Sequence, residues 1–208
     1  MARYSGPRCR LCRRAGMKLY LKGPRCESAK CAVVKREAPP GPRTWRRGRP
    51  SDYQLRMREK QKLKQHYGVL ERQFRRYFAR ASRTKGNTGE ALLVTLERRL
   101  DSVVYRLGFA RSRSEARMMV GYGHFTVNGR KVTIPSAEVN VGDEIKPIAR
   151  DQIMNAAKES VEVSRWREVP SWLALDEGTL VGRVLELPKR EELMVPIKEQ
   201  LIVELCSR

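Results

Sequence analysis

The sequence predicts an α+β protein: an N-terminal arm bound to zinc and a small helical domain, with an inserted domain of two helices on a small, mostly antiparallel sheet. Three observations lead to this fold class. Four of the five cysteines fall in two close pairs within residues 1–36. Apolar residues recur at helical spacing between residues 51 and 96. Between residues 97 and 147 this periodicity gives way to strand-like alternation around Asn128-Gly129, a dipeptide favoured in two-residue hairpin turns.

The charge of the chain is concentrated in its first half. The 208 residues carry a net charge of +21; residues 1–100 hold 28 Lys/Arg and 7 Asp/Glu, and residues 101–208 hold 16 of each. A polyanion is the natural partner of such a basic half. An anionic membrane is the competing partner, but no segment approaches the ~18 apolar residues of a membrane-spanning helix. The N-terminus lacks the apolar run of a signal peptide, so we expect a cytoplasmic protein with reduced thiols.

The cysteine pairs of residues 1–36 have the spacing of metal ligands. Cys9 and Cys12 bracket two residues, Cys26 and Cys31 bracket four, and thirteen residues separate the pairs. This pattern is typical of one structural Zn²⁺ held by four thiolates. Two disulfides, an iron–sulfur cluster and four unrelated thiols are the alternatives, and a reducing compartment disfavours the disulfides. Because the arm has few large apolar residues, we expect the metal to stabilise its fold.

Residues 37–50 read as an extended basic linker, because their prolines and glycines oppose regular structure. Four arginines surround Trp45 in this segment. Guanidinium groups and an aromatic ring both stack on bases, so the linker is predicted to meet single-stranded RNA. An ordinary flexible linker is the alternative. The arginines are Arg43, Arg46, Arg47 and Arg49.

Residues 51–96 are predicted to form a helical domain with a basic exterior. Ser51 and Gln54 fit a capping box, so a helix should run from Asp52 to Tyr67 and end at Gly68. Two further helices are expected, one with a buried stripe from Leu70 to Ala81 and one through Leu92 and Leu96. Residues 198–208 are apolar for a chain terminus, and we expect them to dock back on this domain. Cys206 is expected to be a buried thiol.

Residues 97–197 are predicted to form the second domain, with its core module at 97–147. One helical stripe runs from Leu96 to Leu107, and Ser112 with Glu115 caps a second helix. A short strand is expected at 125–127, and another over 139–147 around a turn at Gly142-Asp143. A C-terminal arm follows, with a helix over 151–163, Trp166 and Trp172 as anchors, and a hairpin arm at 178–187. Because the two module helices are rich in arginine, they are expected to form a platform for a phosphate backbone.

Sequence motifs extend a family resemblance along nearly the whole chain. In order they read MARYSGPRC, CRLCRR, YLKGPRC, RPSDY, REKQKLK, YGVLERQF, KGNTG, LERRLDSVVYRLGF, SRSEAR, HFTVNGR, VGDEI and KEQLIVEL. Together they resemble the bacterial small-subunit ribosomal protein four family in its zinc-binding, four-cysteine form. The stretch from Leu96 to Ile145 alone resembles the RNA-binding domain named after this family, which also occurs on some pseudouridine synthases, tyrosyl-tRNA synthetases and heat-shock proteins.

The resemblance implies a protein that binds the 5′ domain of 16S rRNA directly and nucleates assembly of the small subunit. It also implies contact with ribosomal protein five, an influence on accuracy, and a place at the mRNA entrance for Arg46, Arg47 and Arg49. The family's Gly-Gln-His-Gly stretch is replaced here by residues 41–45. The predicted rRNA contacts are Arg3, Tyr4, Arg10, Arg13, Arg14, Lys22, Arg56, Lys60, Lys62, Lys64, Arg72, Arg75, Arg76, Arg111, Arg113, Arg117, His124, Asn128 and Arg130.

Two other functions share parts of this pattern. An RNA-modifying enzyme could carry the same module, but the chain outside the module and the helical domain is too short for a catalytic domain. Neither His66 nor His124 has a visible nucleophile partner in the sequence. A zinc-dependent regulator of RNA or DNA would need a recognition helix after the second cysteine pair, and none is predicted. We expect a protein that is not an enzyme and does not form homo-oligomers.

Overall fold

The computed structural model describes residues 4–36, 38–42, 49–193 and 197–207. They fold as helices and one small antiparallel sheet, which confirms the α+β class with a helical N-terminal domain. The chain divides into two compact units, residues 1–92 with 195–208 and residues 93–194.

The helices and strands have the following bounds. The α-helices are α1 (Arg8–Ala15), α2 (Ala32–Lys35), α3 (Asp52–Tyr67), α4 (Glu71–Ala81), α5 (Thr88–Glu97), α6 (Leu100–Arg106), α7 (Arg113–Gly121), α8 (Asp151–Val163) and α9 (Glu199–Cys206). Short 3-10 helices lie at Gly23–Cys26 and Arg190–Glu192. The strands are β1 (Phe125–Val127), β2 (Arg130–Lys131), β3 (Glu144–Pro147), β4 (Leu173–Asp176) and β5 (Val181–Val184).

The helical domain is built on α3, α4 and α9. The predicted bounds of α3 are confirmed: the Ser51 hydroxyl accepts a hydrogen bond from the Gln54 amide, and Gly68 ends the helix with φ 63°. Helix α9 packs along α3 and buries Ile202 completely. An ion pair of 2.7 Å between Arg56 and Glu204 fastens the two helices. The apolar C-terminal segment thus packs within the first unit.

In the second unit, helices α6 and α7 share one hydrophobic core with a five-stranded sheet. The strand order of the sheet is β2-β1-β3-β5-β4. All its strand pairs are antiparallel. Asn128 and Gly129 have φ of 50° and 76°, which confirms the predicted turn between β1 and β2. The core includes Val103, Phe109 and Phe125, all fully buried.

The helix predicted from the stripe between Leu96 and Leu107 is interrupted. Helix α5 ends at Glu97 and α6 begins at Leu100. At the break, the Val139 amide donates to the Arg98 carbonyl at 2.9 Å, and Arg99 pairs with Glu138 in an isolated β-bridge. Hydrogen bonds to a distant segment replace helical ones here, so tertiary contact overrides the local periodicity.

Three other expectations need correction, and a fourth is confirmed over a shorter range. Within the predicted range 139–147, the structure has the expected turn next to Gly142, but only residues 144–147 form a strand; before it, the Asp143 side chain accepts a hydrogen bond from the Asn140 amide. The predicted hairpin arm at 178–187 is confirmed over residues 181–184, where β5 pairs with β4 around a turn at 177–180. Trp172 is buried as predicted, but Trp166 is 41% exposed. The Cys206 thiol is half-buried, and burial raises its pKa. In the part of the chain described, no helix is both long and apolar enough to span a membrane.

Candidate nucleic-acid interface

The clearest outward-facing cations of the helical domain lie on α4. Its buried face carries Phe74, Tyr77 and Ala81, and this spacing turns Arg72 and Arg76 outward, one turn apart. Both arginines are exposed, and within the described residues neither has an ionic partner. An exposed guanidinium without a carboxylate neighbour is available to a phosphate, so these two predicted sites fit RNA contact well.

Several other residues that were predicted to contact rRNA form ion pairs with Glu71 instead. Lys60, Lys64 and Arg75 bind its carboxylate at 2.6, 2.7 and 3.1 Å. Although burial alone raises the pKa of Glu71, the hydrogen bonds from these three cations lower it to about 2. Lys62 similarly pairs with Glu59 at 2.5 Å. The Glu71 cluster still has three positive charges against one negative charge, so it remains attractive to an anion.

The arm carries several exposed cations, and some of them line a cleft. Arg10, Arg14 and Lys22 are exposed, and Tyr4 is 45% exposed. A cleft of about 720 Å³ is lined by residues including Arg10, Arg13, Arg25 and Lys30. Arg13 is engaged within the protein, because its guanidinium donates to the Ala38 carbonyl at 2.8 and 3.0 Å. It therefore fixes the first described residues of the linker.

Some predicted sites cannot be placed. Arg3 and the linker residues Arg43, Trp45, Arg46 and Arg47 lie outside the described residues. Arg49 is described and exposed.

The four clustered cysteines line one small cavity of about 20 Å³. All are free thiols; Cys12, Cys26 and Cys31 are buried and Cys9 is half-buried. Burial, and to a smaller extent the neighbouring cysteines, raise the pKa of Cys12 and Cys26. Among the described side chains, no three His, Cys, Asp or Glu residues form a closed metal-ligand group. The donor set nevertheless fits Zn²⁺, since four thiols of two close pairs line one cavity in a segment with little apolar burial.

In the module, Arg113 lies inside the protein. It is 9% exposed and approaches the fully buried Glu97 carboxylate at 3.4 Å. Arg106 binds the same carboxylate at 2.6 and 3.1 Å, and the Ser102 hydroxyl donates to it at 3.3 Å. Glu97 thereby ties the end of α5 to α6 and α7. Arg113 is engaged in this network, which leaves little of it for an RNA phosphate.

A second network surrounds Asp101. Arg99, 1% exposed, binds this carboxylate through two hydrogen bonds of 2.6 and 3.0 Å. Arg117 adds a bond of 3.2 Å from α7 and keeps about a fifth of its side chain exposed. Arg117 can thus hold the helices together and still present one edge to a ligand.

The Tyr105 ring has two guanidinium groups close to it. The central carbons of Arg167 and Arg113 lie 3.8 and 4.5 Å from its ring centre. Arg167 also donates to the Ala110 carbonyl and the Ser164 hydroxyl, and burial lowers its pKa. These contacts make Arg167 part of the framework of the module.

The surface of the module keeps a smaller set of candidates. Arg111 is 42% exposed and pairs with the exposed Glu159 at 2.9 Å, while Arg130 is exposed at the hairpin. The Asn128 side chain bonds to Asp143 and to the Glu144 amide, so it holds the hairpin in place. Sequence reasoning missed Tyr122, which is 66% exposed with its ring centre 5.9 Å from that of His124.

A cationic helical domain followed by a module of two helices on a sheet defines the class of this molecule, a nucleic-acid-binding protein. Two family models match in sequence order: "Ribosomal protein S4/S9 N-terminal domain" over residues 3–97 and "S4 domain" over residues 98–145. The chain is 54% identical to small ribosomal subunit protein uS4 of Geotalea daltonii and 56% identical to uS4A of Symbiobacterium thermophilum, each over the full length of both chains. It is 53% identical to uS4 of Thermus thermophilus, again over both full lengths. The chain belongs to the ribosomal protein uS4 family, a family of structural ribosomal proteins and not of enzymes.

Proposed function

We propose that the protein is a structural component of the small ribosomal subunit in the cytoplasm, where it binds the 5′ domain of 16S rRNA directly and nucleates assembly. Family membership over the full length of the chain supports the place in the subunit. The observation that carries direct rRNA binding is the excess of unpaired positive charge in the helical domain and arm, with Arg72 and Arg76 exposed on α4.

The test is binding of the purified protein to the 5′ domain of 16S rRNA, against a shuffled RNA of equal length. We expect preferential binding, and co-sedimentation of the native protein with small subunits after a high-salt wash. Equal affinity for the two RNAs would contradict direct recognition of the 5′ domain.

The arm is proposed to hold one structural Zn²⁺ through Cys9, Cys12, Cys26 and Cys31. Zinc would supply cross-linking in a segment whose described residues bury few large apolar side chains. The bound arm would keep Arg10, Arg14 and Lys22 in fixed directions, and nearby cations would offset the negative charge of the thiolates.

The linker is proposed to lie at the mRNA entrance, with the protein also in contact with ribosomal protein five and influencing accuracy. These roles rest on the family resemblance. Replacing Arg46 and Arg47 with alanine should leave rRNA binding nearly intact and slow translation of messages with stable hairpins. Unchanged translation of such messages, measured against an unstructured message, would remove the linker from this role.

A further inference from the structure

A groove of about 640 Å³ lies beside α3, entirely within the first unit. Its walls are the end of α1, the residues around Ser51, and one face of α3. We propose that this groove binds an unpaired stretch of RNA and that glutamine side chains on α3 read its base edges or ribose hydroxyls. The proposal rests on the rRNA-binding function proposed above and specifies how part of that RNA is recognised.

The charge of the groove suits a nucleic-acid backbone. Arg14, Arg49, Arg58 and Lys62 line it, and no Asp or Glu does so among the described residues. The three arginines are exposed, and within the described chain none has a carboxylate partner. Among the cations of the groove, Lys62 pairs with an acid of the described chain, Glu59. A strand of phosphates in the groove therefore meets three guanidinium groups that no carboxylate in the described chain engages, one from each wall.

The glutamines distinguish this groove from a surface that only attracts phosphate. Gln54, Gln61 and Gln65 lie seven and four residues apart, which places them on one face of α3. Lysine and arginine can only donate hydrogen bonds, whereas a carboxamide both donates and accepts. Base edges and the ribose 2′-hydroxyl present both kinds of group. The Gln61 amide nitrogen contacts only a weak acceptor, the Met57 sulfur at 3.8 Å, within the described residues.

An exposed aromatic residue indicates that the RNA bound here is unpaired. Tyr53 lines the groove at the start of α3 and is 62% exposed. In a duplex the base faces are covered by their neighbours, so a tyrosine ring on the protein surface can stack only on a base that has left the helix. The juxtaposition of Tyr53 with three carboxamides and four cations matches a nucleotide strand with its bases turned toward the protein.

The test is binding of full-length variants to the 5′ domain of 16S rRNA across a salt series. Combined Gln54→Ala, Gln61→Ala and Gln65→Ala should weaken binding at least about tenfold without changing the slope of log affinity against log salt. Arg58→Ala should instead reduce that slope by about 1. Tyr53→Ala should weaken binding about 5- to 100-fold, and Tyr53→Phe should restore it, because stacking needs the ring and not the hydroxyl.

The matched control is Gln200→Ala, an exposed glutamine of α9 outside the groove. Wild-type protein that fails to prefer the 5′ domain would contradict the proposed function itself. Wild-type preference combined with equal affinities of the triple glutamine variant and Gln200→Ala, at unchanged melting temperatures, would overturn the groove proposal alone. If the groove variants lost as much affinity for a fully paired RNA hairpin as for the 5′ domain, the restriction of the groove to unpaired nucleotides would be overturned.

Discussion

On α4 of the helical domain, Arg72 and Arg76 stand exposed without ionic partners in the described chain, whereas in the module Arg99 and Arg113 are buried against carboxylates. The difference follows from the supply of acids. Residues 1–92 with 195–208 carry 28 Lys/Arg and 8 Asp/Glu, while residues 93–194 carry 16 and 15. A unit with so few acids can pair only some of its cations internally, as it does around Glu71. A balanced unit can, and it uses ion pairs to fasten its helices.

This contrast changes how arginine-rich motifs are interpreted. Ser112–Arg117 looks like a phosphate-binding helix start, yet Arg113 contacts Glu97 and Arg117 contacts Asp101. The residues on which RNA affinity depends are therefore expected to differ from those on which the stability of the module depends. Four experiments test this division between RNA-binding and structural residues, and they follow in order of decreasing expected effect.

Removal of the proposed zinc should have the largest effect, and only on the arm. Structural zinc in small domains contributes apparent binding free energies of about 10–16 kcal/mol. We expect one zinc per chain, and after chelation faster hydrogen exchange across residues 4–36 with little change in α6 and α7, which have their own apolar core. Cys26→Ser should abolish metal binding while Cys206→Ser leaves it intact. Protein without zinc, or with Cys9–Cys31 disulfides in cytosolic extract, would disprove the metal site.

Loss of the Glu97 carboxylate should destabilise the module strongly. Glu97→Gln leaves Arg106 and Arg113 without their buried countercharge, a change that costs roughly 3–5 kcal/mol of unfolding free energy. The matched control is Glu159→Gln, which breaks an exposed pair and should cost less than about 1 kcal/mol. Urea unfolding followed by circular dichroism measures both. Similar midpoints for the two variants would mean that the buried network contributes little.

Arginine substitutions should separate RNA affinity from stability. Combined Arg72→Ala and Arg76→Ala should reduce the salt slope of rRNA binding by about 2, since each phosphate contact releases counterions, and should leave the melting temperature nearly unchanged. Arg113→Ala should lower the melting temperature and keep the slope. If Arg113→Ala reduced the slope as much as the α4 variant, its guanidinium would be meeting phosphate despite its burial.

Acid should weaken the Glu71 cluster by a smaller amount. The carboxyl titrates near 4.5 when unfolded and near 2 in the fold, so its stabilisation is present above about pH 5 and is lost as the pH falls toward 2. Because the side chain is 37% exposed, the contribution is about 1 kcal/mol after solvent screening. The comparison is the unfolding free energy of wild type and Glu71→Gln between pH 7 and pH 3. A gap between them that does not narrow in acid would contradict this assignment.

Much of the fold was predictable because local rules and tertiary packing agree. Ser51 and Gly68 bound α3 through a side-chain cap and a left-handed residue, both determined by local chemistry. The Asn128-Gly129 turn is likewise local, since few other dipeptides accept two positive φ angles. The charge asymmetry and the cysteine spacing are also properties of the sequence alone.

Which arginines lie inside the protein depends on contacts that the sequence pattern does not reveal. Glu97 and Arg113 are sixteen residues apart, and periodicity does not reveal that α5 stops at Glu97 so that α6 and α7 can close around its carboxylate. The same holds for the groove beside α3, because Arg14, Arg49 and Gln61 become neighbours only when α1 and α3 pack. Sequence determines how many charges a chain has and which segments have helical periodicity. Which charges meet each other and which remain for a partner depends on contacts between distant segments, where a carboxylate removed from water must find its countercharge.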